Sequence, residues 1–127
     1  MEQQIFLPEL HEKISAWKSD VDFVRQDVKI LRHRLTEIIH QNTHRDVLAL
    51  AEQFQNQFIR QLEVADEMFH DLKQADKRIL RDMEEKPSGL EERIMKEDRH
   101  LSERMHIFNR LFHTMKDDFN RFLERIM

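Results

Sequence analysis

The chain has 127 residues, 36% of them charged and 39% hydrophobic, and its formal net charge is −4. One Gly, two Pro and no Cys leave few corners for the backbone and exclude a disulfide framework, a thiolate nucleophile and a Cys-ligated zinc site. The negative charge gives no overall attraction to nucleic acid or anionic lipid. We therefore expect an all-α protein with a single domain over residues 1–127.

The first predicted helix covers about residues 8–40 and begins at Pro8, which a first helical turn tolerates. Apolar residues recur along it at alternating steps of four and three, which is the spacing of one continuous seam on a helix. The nine seam residues are Leu10, Ile14, Trp17, Val21, Val24, Val28, Leu31, Leu35 and Ile38.

The first residues contain neither a basic segment nor a long apolar segment, so we expect no secretory signal. No stretch approaches the ~20 apolar residues that a membrane-spanning helix needs. The expected location is the cytoplasm.

The second predicted helix covers about residues 44–85. A polar break at residues 41–43 precedes it, and Thr43 with Asp46 resembles a short capping box. Its apolar seam is interrupted once, at Gln61.

The third predicted helix covers about residues 88–126. Pro87 cannot continue the preceding helix, and Ser88 with Glu91 three residues later forms an S-x-x-E capping box. Glu97 interrupts the apolar seam of this helix.

Two short corners predict antiparallel neighbours, and hence an up-down-up three-helix bundle with coiled-coil-like packing. Folding at the corners places Phe54 and Phe58 level with Leu31 and Ile30 on one side. On the other side they are expected to face Phe112, Met115 and Phe119. The aromatic residues therefore gather near the first corner.

At the opposite end of the bundle, Ile5, Phe6 and Leu7 are expected to cover Ile79, Met83 and Leu90. All three helices then find partners along most of their length, which favours a closed bundle over an open arrangement.

Gln61 and Glu97 are polar residues in otherwise apolar seams. Such a residue can set the register or admit water, or it can be a polar spot in a ligand-binding cavity. The fold places Gln61 near residue 113 and Glu97 near residue 76, so we expect no shared pocket.

Eight histidines are unusual for this length, and four of them lie in Glu-x-x-His quartets. The quartets are Glu37–His40, Glu67–His70, Glu97–His100 and Glu103–His106. This is the inward-facing ligand unit of di-iron four-helix proteins.

At 100° per residue, however, Glu67 and His70 point away from the seam, and only Glu97 falls on one. We therefore expect no metal and no other cofactor. The alternative is a metal-binding, ferritin-like four-helix protein formed by dimerisation, with Glu67, His70, Glu97 and His100 as ligands. A further hypothesis is a pH-responsive module, because histidine changes its charge near neutral pH.

Basic residues Arg25, Lys29 and Arg32 share one face of the first helix. They could grip phosphate or an acidic partner, but a stripe paired with acids on the neighbouring helix is the simpler interpretation. No helix-turn-helix or other nucleic-acid module accompanies them, so we expect no direct nucleic-acid binding.

The apolar side of the third helix widens after Leu101. An apolar face broader than two neighbouring helices can cover indicates a surface for a partner helix or a second copy. The candidate contact residues are Phe108, Leu111, Phe112, Met115, Phe119 and Phe122.

For catalysis the chain offers neither a phosphate-cradling glycine loop nor a serine in a nucleophile elbow, so we expect no enzyme and assign no catalytic residue. The predicted function is a non-catalytic helical module that associates with itself or with another protein.

Overall fold

The computed structural model describes residues 7–126, and these form three helices. The helices are α1 (Leu7–Gln41), α2 (Arg45–Glu85) and α3 (Leu90–Ile126). Each boundary lies within two residues of the predicted one. The all-α class and the three-helix bundle are confirmed, because every pair of helices is in contact. The expectation for Ile5 and Phe6 lies outside the described residues.

Ion pairs between the helices keep one register along the bundle. Rising residue numbers on α2 pair with falling numbers on α1 and α3, so α2 is antiparallel to both, and α1 and α3 run parallel. The pairs are His11–Asp76 and Arg25–Asp66 between α1 and α2, Asp71–Arg104 and Arg78–Glu97 between α2 and α3, and Lys13–Asp98 and Asp27–Lys116 between α1 and α3.

The seam of α1 faces the core as predicted. Trp17 and Ile38 are partly buried against the core, and the other seven seam residues are buried. One element of the predicted packing is wrong: Ile30 is 60% exposed, whereas Leu31 is buried. One residue turns the helix by about 100°, so the two neighbours cannot both face α2.

The helices α1 and α2 approach each other more closely than either approaches α3. The size of the buried side chains accounts for this difference, because small residues let helix axes come together and large ones hold them apart. The core residues of α2 include Ala51, Ala65 and Ala75, whereas those of α3 include Met105, Phe108, Phe112, Met115, Phe119 and Phe122.

Four phenylalanines join α2 and α3 near the first corner, as the sequence predicts. The Phe58 ring meets the Phe119 ring edge-on with centroids 5.0 Å apart, and Phe54 lies 5.3 Å from Phe119 and 5.1 Å from Phe122. Such pairs contribute beyond the apolar area they bury. The cluster therefore anchors the end of α3 to the start of α2.

The second corner does not use the predicted capping box. Gly89 adopts a φ of 74°, so α3 begins only at Leu90 and Ser88 lies outside the helix. Arg93 holds the corner instead: its guanidinium donates hydrogen bonds to the carbonyl oxygens of Ser88, at 2.8 Å, and of Lys86. It also lies 3.5 Å from the Asp82 carboxylate.

The capping box predicted at the first corner is also wrong. The residue before α2 is His44, and its side chain makes no capping hydrogen bond. The helix therefore starts two residues beyond Thr43, whose hydroxyl cannot serve the free N–H groups of the first turn.

We expect Phe58→Ala to lower the free energy of unfolding by about 3–5 kcal/mol, because it opens a cavity in the core. Phe58 is fully buried, whereas Phe23 is 67% exposed, so Phe23→Ala is the matched control and should change stability by no more than about 0.5 kcal/mol. Urea unfolding followed by circular dichroism measures both. Equal effects of the two substitutions would contradict this packing.

We expect Gly89→Ala to cost about 1–2 kcal/mol, because an L-residue is strained at positive φ. An added Cβ would lie 3.6 Å from the Arg93 Nη1 atom, which is ordinary contact, so the cost comes from the backbone. Ser88→Ala should be nearly neutral, within about 0.5 kcal/mol. A loss near 1 kcal/mol for Ser88→Ala would instead indicate that the Ser88 side chain caps α3.

Candidate contact surface

The structure buries most of the residues that the sequence nominates for partner contact. Leu111 is 54% exposed, whereas the other five lie in the core of the single bundle. The buried residues are Phe108, Phe112, Met115, Phe119 and Phe122. They join α3 to the other helices. The apolar side chains that remain exposed on this side of α3 are Leu111 and Ile107, one turn earlier and 47% exposed.

Leu111 borders a groove of about 600 Å³ between α2 and α3. Val64, Phe108 and Met115 also line it with apolar surface, and α2 adds polar side chains along its rim. These rim residues are Asn56, Gln57 and Arg60. Two smaller, separate concavities lie between the same two helices, and we call the three together the α2–α3 groove.

The first of the smaller concavities, of about 230 Å³, lies toward the first corner and is lined by Leu50, Phe54, Asp118, Arg121, Phe122 and Arg125. The second, of about 310 Å³, lies toward the second corner and is lined by Asp71, Gln74, Arg78, Glu97, His100, Leu101 and Arg104. The middle of the groove therefore combines apolar surface with a polar rim that includes Arg60, and both ends are lined by several charged residues.

Gln61 lies in the middle of the groove, beside Leu111 and Met115. Its predicted level, near residue 113, is confirmed. The Nε2 atom is buried and has no hydrogen-bond partner. An amide in this state forfeits its bonds to water, so the position is costly for the isolated bundle.

Glu97 lies in a different part of the groove, as predicted. Its carboxylate accepts a hydrogen bond of 2.8 Å from Arg78, two residues from the predicted level of residue 76. The Glu97 side chain is 18% exposed. Glu97 therefore forms an ion pair between α2 and α3 at the edge of the seam. Gln61 and Glu97 line different concavities, as predicted.

Part of the basic face of α1 forms ion pairs within the bundle. Arg25 donates to Asp66 of α2 and to Asp22, each at 3.0 Å, and its guanidinium lies 4.4 Å from the centre of the Phe69 ring. This is the arrangement expected for a stripe that pairs with the neighbouring helix. Lys29 and Arg32 are exposed.

The Glu-x-x-His quartets lie on the outside of the bundle. Glu67, His70, His100 and Glu103 are all exposed, and Glu97 is committed to Arg78. Among residues 7–126 there is no group of three or more His, Asp or Glu placed to hold a metal ion. A di-iron centre needs its ligands inside the bundle, and this single chain directs them outward.

Comparisons with known proteins identify no relative of this chain. No family model, no curated protein and no solved structure matches the chain. Within the described part of the chain, none of the helices combines the length and the apolar character needed to cross a membrane.

We expect Gln61→Leu to raise the free energy of unfolding by about 1 kcal/mol, because it removes a buried amide that lacks a partner. Gln57→Leu in the same groove is the control. Its side chain is exposed, so the change should stay within about 0.5 kcal/mol. Denaturant midpoints at low protein concentration measure both. A loss of stability in Gln61→Leu would mean that the amide is satisfied.

Proposed function

We propose that this chain is a non-catalytic helical module that acts by association, and that the α2–α3 groove is its contact surface. The observation that carries the proposal is the pair of exposed apolar side chains, Ile107 and Leu111, beside an apolar groove. A groove between two antiparallel helices is a common docking site for a third helix, whose apolar face it removes from water.

The charge distribution around the groove supports this proposal. The chain is 36% charged, yet Arg60 is the one charged residue among those that line the middle of the groove. The other polar residues there are Gln and Asn. Depletion of charge at the centre of a surface patch is the compositional mark of protein interfaces.

A cytoplasmic location belongs to the same proposal. The absence of cysteine and the highly charged surface support it, because such a chain needs no oxidising compartment for its stability.

Photo-crosslinking from the groove tests the proposal. With p-benzoylphenylalanine in place of Leu111, we expect a covalent adduct in cells. The same group in place of Phe23, which is more exposed than Leu111 but lies on α1, should give little. An added Ile107→Asp substitution should abolish the Leu111 adduct, because burying an unpaired carboxylate is costly.

Two results count for the proposal: an adduct with a second copy, or one with another protein, provided that it depends on the position of the probe and on Ile107. Equal labelling from the two positions, or none from either, would refute it.

A further inference from the structure

One row of residues on α3 repeats every seven positions along the groove. It consists of Glu97, Arg104, Leu111, Asp118 and Arg125, and we call it the α3 heptad row. Two helical turns separate successive members, so they share one side of the helix. Glu97 and Arg104 line the end of the groove near the second corner, Leu111 its middle, and Asp118 and Arg125 the other end.

The order of charges in this row is acidic, basic, apolar, acidic, basic. An antiparallel copy centred on Leu111 presents the complementary order, with Glu97 opposite Arg125 and Arg104 opposite Asp118. A parallel copy in register would place like charges together, which is unfavourable. With Leu111 opposite Leu111, the row is therefore complementary to itself in the antiparallel direction and not in the parallel one.

Packing within the bundle explains one half of the row. Arg78 and Asp71 of α2 bind Glu97 and Arg104, each at 2.8 Å. These pairs leave capacity for further contacts, since a carboxylate has two oxygens and a guanidinium has five N–H donors.

The other half of the row faces an uncharged side of α2. Around Asp118 and Arg125, α2 contributes Leu50 and Phe54 to the groove. The ion pair of Asp118 is with Arg121 of the same helix, at 3.6 Å. The charges at this end therefore match nothing that α2 presents, whereas the opposite end of a reversed α3 matches them in sign and spacing.

We infer that a second copy of this chain fills the α2–α3 groove, with the two α3 helices antiparallel about a two-fold axis at Leu111. This rests on the proposed function and names its partner. Leu111 meets Leu111 of the other copy at the centre, and the Arg104–Asp118 and Glu97–Arg125 contacts each occur twice. Apolar contact at the centre with ion pairs at the rim is the usual anatomy of an interface, and a two-fold contact uses one patch twice.

Cysteine crosslinking tests this arrangement, because the chain has no cysteine of its own. The single variant Leu111→Cys brings two thiols to the axis, where a disulfide needs Cβ atoms only about 3.5–4.5 Å apart. We expect mild oxidation to link it into dimers about tenfold faster than Phe23→Cys, because thiols held within one complex meet at a high effective concentration.

A mixture of two variants tests the direction of the helices. In the antiparallel dimer, Arg104→Cys lies beside Asp118→Cys of the other copy, whereas two Arg104→Cys thiols are about 21 Å apart along the axis. Oxidising the mixture should give mainly mixed dimers, and oxidising either variant alone should give few. Dimers of Arg104→Cys alone would overturn the antiparallel order.

Matching rates for Leu111→Cys and Phe23→Cys would overturn the inference, provided that both variants keep the unfolding midpoint of the parent. The proposed function fails separately. If photo-crosslinking from residue 111 captures a different protein while the cysteines do not link, the groove is a contact surface for another partner and the second copy is excluded. If both experiments are negative, both proposals fall.

Discussion

Three long helices that each carry one apolar stripe can remove those stripes from water only by facing one another. In this chain the stripes repeat at steps of three and four residues, so each stays on one side of its helix for the whole length. Once the two corners fix which helix ends are neighbours, the register follows. The inter-helix ion pairs keep that register from Lys13–Asp98 at one end to Asp27–Lys116 nearer the other.

The groove is a consequence of how unequal the three stripes are. Small residues let α2 approach α1, whereas phenylalanine and methionine hold α3 further away. Large side chains fill the centre of such a seam but leave its outer edge open. Gln61 contributes to this open edge, because it puts a polar amide at a seam position where an apolar side chain would pack against Leu111 and Met115.

Much of this could be predicted from sequence, because hydrophobic periodicity and corner positions determine it. The helices, their order, and the levels of Gln61 and Glu97 belong to this class. The sequence could not distinguish Phe108, which is buried, from Leu111, which is exposed: the two are about 60° apart around α3, and only the position of α2 decides which is covered. The corner contacts also escaped prediction. The φ of Gly89 moves the start of α3 past Ser88, and the corner is held by Arg93, which donates hydrogen bonds to carbonyl oxygens there.

The α3 heptad row connects the fold with the proposed contact. On a straight helix a seven-residue repeat drifts by about 20° per heptad, or about 80° from Glu97 to Arg125. The row nevertheless follows the α2–α3 groove over this whole distance. The core stripe of α3 repeats in similar steps, and such a repeat favours helices that wind around one another, which would keep α2 beside the row. A second α3 helix that follows the row would therefore wrap in the same left-handed sense as the helices of a bundle with this repeat, and the periodicity that forms the core would also keep the charges of two copies in step.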